Sequence, residues 1–121
     1  MEYTKYQQGD VLLLKVSKEE FERHKLTHKY SKHETRAVLA EGEATGHYHA
    51  IYMDDLLDGA GVTLAKTNQY RRVNEGLIVE NKPVELRHEE HDTIVLDPGY
   101  YIQRIVKEYD HITGRTRGVL D

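Results

Sequence analysis

Short apolar runs set between turn-forming residues dominate the chain, and this spacing predicts strands rather than helices. Val11-Leu12-Leu13-Leu14-Lys15-Val16 follows Gly9-Asp10 and reads as a buried strand. Arg36 to Ala40, His47 to Tyr52, Val62 to Ala65, Leu77 to Glu80, Val84 to His88 and Thr93 to Leu96 read as further strands. Tyr100 to Tyr109 is the longest β-favouring run. Reversals are supplied at Gly42 and Gly46, at Asn74-Glu75-Gly76, at Asn81-Lys82-Pro83 and at Asp97-Pro98-Gly99. Period-two alternation puts His47, His49 and Ile51 on one face of their strand, with Tyr48 and Tyr52 on the other. By the same rule Val84, Leu86 and His88 share a face.

One helix is predicted. Ser17-Lys18-Glu19-Glu20 has the Ser-x-x-Glu form of a capping box, which places a short peripheral helix near residues 18–28. Phe21 and Leu26 are its few apolar positions. The polar stretch from Thr27 to Thr35 reads as loop, and the pattern assigns no element to the tail from Asp110 to Asp121. An all-β fold is therefore expected, a small barrel or β-sandwich in a single domain spanning 1–121.

Composition narrows the function classes. The hydrophobic share of 38% is too high for a disordered chain. The longest aliphatic run, Val11 to Leu14, is far below the ~20 residues of a membrane helix. Met1-Glu2-Tyr3-Thr4-Lys5 shows no basic stretch followed by an apolar one, so a cytoplasmic setting is expected. With no cysteine there is neither a disulfide framework nor a thiolate metal site. The net charge of −4 and the scattered basic residues give no footprint for nucleic acid, and none is predicted as a partner.

The unusual feature is eight histidines. Among 121 residues this number yields about half of one i,i+2 pair by chance, so a lone His-x-His decides nothing. Context carries more weight. His47 and His49 follow a Gly-containing turn onto a strand, on the same face. His88 and His91 sit where a strand enters a turn, and carboxylates neighbour both pairs. Four imidazoles, or three with a carboxylate, suit a divalent transition metal: zinc, iron, nickel, copper or manganese. Elsewhere, Glu20, His24 and His28 would line one helical face, read as a solvated surface, and His33 and His111 stand alone. Asp54, Asp55 and Asp58 lack EF-hand spacing and read as an acidic loop.

Gly42-x4-His47-x-His49-x4-Asp54-x6-Gly61 resembles the first motif of the cupin superfamily, with aspartate where that motif has glutamate. Gly76-x6-Pro83-x-Glu85-x2-His88-x3-Asp92 is similar to the second. The resemblance covers Gly42 to Asp92. It implies a double-stranded β-helix barrel with a metal held by His47, His49 and His88. Asp54 or His91 is the fourth ligand.

Two functions follow. The leading one is a cupin-like metal-binding protein, an enzyme if its metal acts on a small polar molecule. Glu43, Glu89 and Glu90 are then acid/base candidates, and Tyr48 or Tyr101 orients the ligand. The alternative is a non-catalytic binding or assembly module, accessory or virus-encoded, with a structural metal or a histidine-lined interface. Either version is expected to form a homodimer through an exposed strand edge.

Overall fold

The computed structural model describes residues 3–41, 47–110 and 115–118. The chain opens with β1 (Thr4–Gln8), β2 (Val11–Val16), α1 (Lys18–Arg23) and β3 (His28–Tyr30). β4 (Arg36–Glu41) and β5 (Tyr48–Tyr52) follow, then β6 (Gly61–Lys66) and β7 (Gly76–Glu80). The remaining strands are β8 (Val84–Leu86), β9 (Ile94–Leu96), β10 (Gly99–Ile105), β11 (Lys107–Asp110) and β12 (Arg115–Gly118).

Six strands make one antiparallel sheet in the order β1-β2-β10-β7-β6-β3. Its first hairpin pairs Gln8 with Val11 across a two-residue turn. The backbone φ is +57° at Gly9 but not positive at Asp10, the pattern of a II′ turn with glycine in its first central position. That turn fixes Asp10 at the hairpin tip.

A second layer forms from two hairpins, β4–β5 and β8–β9. Ala50 and Arg87 join them, exchanging both backbone hydrogen bonds (3.0 and 2.8 Å). The layers pack face to face. Val11, Leu13, Leu77, Val79 and Tyr101 from the large sheet meet Leu39, Ile51, Val84, Leu86 and Leu96 from the other in one buried cluster. The expected all-β fold is thus realised as a sandwich, and the described residues form no closed barrel.

The outer face of the large sheet is covered by α1. Ser17 caps this helix as the sequence predicts, its hydroxyl accepting from the Glu20 N–H at 3.1 Å. The helix stops at Arg23, earlier than the expected limit, and Lys25 takes a positive φ of 53°. Phe21 and Leu26 then pack on Ala65, Ile78 and Ile102. Three strands differ from expectation, β12 lying in the tail to which the pattern assigns no element. β1 has a single buried residue, Gln8, and β3 has none, so neither carries the apolar signal that strand prediction needs. β3 pairs with β6 as an exposed edge within the stretch read as loop.

Gly76 sits under the helix. A Cβ there would stand 2.5 Å from Leu26 Cδ1 and 2.7 Å from Phe21 Cε2. Gly76→Ala is therefore expected to lower stability by about 1–3 kcal/mol, as overpacking does. Urea denaturation measures it, and a loss below about 0.5 kcal/mol would show that the helix shifts freely.

Candidate metal centre

Alternation along β5 sends His49 and Ile51 into the core, both fully buried, while Tyr48 and Tyr52 are half-buried on the other face. Along β8 and its exit, Val84, Leu86 and His88 point inward, and Glu85 and Arg87 are exposed. The Ala50–Arg87 bridge sets these segments side by side. The rings of His49 and His88 consequently stand 4.3 Å apart, centre to centre. His47 lies edge-on to His88 at 5.5 Å, and His91 is 4.7 Å from His88 and stacked near His49 at 6.2 Å. Four imidazoles from two distant segments thus share one cluster.

Hydrogen bonds define the ring orientations. Gln8 is 2% exposed, and its Nε2 donates to the carbonyls of Leu86 (2.8 Å) and Asp92 (2.9 Å). Its Oε1 is then the acceptor, so His49 Nδ1 donates to it at 2.9 Å. This fixes the His49 tautomer and aims Nε2 at Asp10 Oδ1, 3.1 Å away. A nitrogen lone pair facing a carboxylate at that distance is repulsive. A second proton on the ring, or a cation between the two atoms, makes the contact favourable.

His88 is oriented differently. Its Nδ1 accepts from the backbone N–H groups of Glu90 (3.0 Å) and His91 (3.3 Å), closing the turn after β8. Nε2 therefore carries the ring proton in this arrangement, and coordination there would require the proton to move to Nδ1 with loss of these two backbone hydrogen bonds. The same turn is pinned to β5 by Glu89, whose Oε2 accepts from the Tyr48 N–H at 3.0 Å. Glu90 Oε1 lies 3.5 Å from His47 Nδ1. Burial raises the Glu89 pKa, but its own backbone N–H, that of Tyr48, and then His47 and His88 outweigh this. The net result is a carboxyl held below the usual range, and hence ionised at neutral pH. The ligand atoms of His47, His88 and Glu89 all lie within 4.8 Å of one another.

The predicted residues therefore separate. The rings of His47, His49, His88 and His91 are brought together, though only His47 and His88 fall with Glu89 in the ligand group, and Asp54 is exposed on the 3-10 turn Met53–Asp55. His24 lies at the end of α1, 3.9 Å from Glu20. Gly42, Glu43, Gly46 and His111 fall outside the described residues. Sequence reasoning missed Gln8 and Asp10. Their one signal is Gly9-Asp10, a dipeptide suited to a tight hairpin, which marks where β2 opens but not what Asp10 faces.

Among known proteins, a family model described as "Domain of unknown function (DUF8820)" matches residues 7–106. Neither the curated proteins nor the solved structures give a match.

Removing the Gln8 amide strips partners from Leu86 O, Asp92 O and His49 Nδ1 together. Gln8→Ala is expected to lower unfolding stability by about 2–4 kcal/mol, since each stranded buried group costs about 1–3. Chemical denaturation reads this directly, and a change under about 1 kcal/mol would mean that water replaces the amide.

Proposed function

The chain belongs to the DUF8820 family of domains of unknown function, and from its site we propose that it binds a divalent transition metal ion. His47, His88 and Glu89 would hold the ion, with the His49–Asp10 pair beside them. The observation that carries this reading is the convergence of those three ligand atoms within 4.8 Å. Two imidazoles and an ionised carboxylate suit zinc, iron, nickel or manganese. The similarity of residues 42–92 to the cupin motifs leans the same way, since His47, His49 and His88 are motif positions.

The site is open on one side. A cleft of about 260 Å³ is lined by Tyr52, Arg87, His88 and Glu89, so a small polar molecule can reach the ligands. Arg87 is steadied there by Asp55 Oδ2 at 2.9 Å. Its guanidinium lies 5.9 Å from the centre of the Tyr52 ring. An ion bound here supplies Lewis-acid chemistry, polarising an oxygen or lowering the pKa of water. Glu90, exposed at the rim, is placed to exchange protons with solvent.

One observation favours a second reading, in which the histidines only lock the two layers together. Both ring nitrogens of His49 already have protein partners, Gln8 and Asp10. Elemental analysis of untagged protein separates the two. The metal-centre reading expects about one ion per chain after supplementation with zinc, iron, nickel or manganese. A ratio near zero, with His49→Ala still lowering stability, would establish the structural reading instead.

Variants sharpen the result. His88→Ala and Glu89→Ala are expected to remove most of the bound ion, and His49→Ala to weaken it about tenfold or more. His24→Ala should leave metal content unchanged. Equal loss in all four, measured by isothermal titration and elemental analysis, would indicate non-specific uptake.

A further inference from the structure

A cleft of about 390 Å³ lies away from the histidine cluster, among β3, β4 and β6. That is within the range of small-molecule sites. His28, His33, Arg36 and Lys66 line it, and among the described residues no carboxylate does. In a chain with 21 acidic and 17 basic residues, such one-sided lining is a local reversal of sign. Val38 and Leu64 add an apolar surface.

We propose that this cleft is a second binding site, taking a small molecule that carries a phosphate group on an apolar or aromatic body. Its cationic side chains are already held in place. Lys66 Nζ donates to the Arg71 carbonyl at 3.0 Å and has two further N–H groups. The Arg36 guanidinium stacks 4.2 Å from the centre of the Tyr48 ring. Asn74 Nδ2 donates to the Val38 carbonyl at 2.9 Å, which fixes another amide at the rim. Preorganised donors lose little freedom when a ligand arrives.

His33 is the second observation. Its ring is set edge-on to Tyr30 at 5.0 Å, and its Nε2 is buried without a hydrogen-bond partner. Burial pushes its pKa down, with backbone groups of Val62 and Tyr30 acting in the opposite direction. The ring lines the cleft, so His33 is among the groups that a bound phosphate would meet. Two permanent cations with two imidazoles also match a dianion better than a single carboxylate.

The test is an amide and imidazole NMR titration of the full chain with phenyl phosphate, inorganic phosphate and benzoate, each with and without a chelator. Saturable shifts are expected at His33, Lys66 and Asn74 with phenyl phosphate, unchanged by the chelator. Lys66→Gln and His33→Phe should each weaken binding about tenfold, the size of one charge-assisted hydrogen bond. Shifts centred on 47–49 and 88–91 that vanish with the chelator would reassign the anion to the metal centre and overturn the proposal. So would unchanged affinity in both variants, or benzoate binding as tightly as phenyl phosphate.

Discussion

The buried amide of Gln8 is the constraint on which the histidine end of the molecule depends. It lies at the end of β1 with almost no access to water, where an unmet polar group is costly. Its two amide donors and its carbonyl oxygen find partners in three different places: the end of β8, the turn after it, and a ring on β5. One side chain therefore ties the first hairpin to both hairpins of the opposite layer. It also decides which nitrogen of His49 carries a proton, so a packing requirement becomes a statement about chemistry.

The rest of the sandwich follows from alternation applied to strands with two covered faces. In β7, Leu77 and Val79 enter the core between the layers, while Gly76 and Ile78 face α1. Such a strand reads as continuously apolar, and its neighbours in the sheet do not. In β4 the register shifts between Val38 and Ala40, and the Leu39 carbonyl there accepts from Gln103 Nε2 at 2.9 Å. A polar side chain from β10 thus satisfies backbone that the irregular pairing leaves out of the ladder.

Much of this was legible in the sequence, for local reasons. β2, β5, β7 and β10 announce themselves through β-branched and aromatic runs, and Ser17 announces the helix start. Alternation also gave the correct inward faces for His49 and for Val84, Leu86 and His88. What it could not give is the pairing of residue 50 with residue 87, since register between distant strands is set by the whole core. Motif spacing points to Asp54, yet this residue is exposed on a 3-10 turn. Gln8 and Asp10 were invisible because nothing in a polar strand or a glycine turn reveals what lies across from it.

The two polar regions differ in a way that net charge alone conceals. Around the histidine cluster, imidazoles meet Asp10, Glu89 and Glu90, so added positive charge, as a proton or a metal ion, is what balances the site. In the cleft of β3, β4 and β6 the sign is reversed, and added negative charge balances it. Arg36 and Tyr48 connect the two, since the guanidinium at the cleft stacks on the ring of the residue between His47 and His49. The Tyr48 N–H is also the donor that holds Glu89. An anion that draws Arg36 deeper into the cleft would therefore act on the same strand segment that positions His47, His49 and Glu89. Communication between the sites, if each is filled, has a physical route through one short stretch of β5.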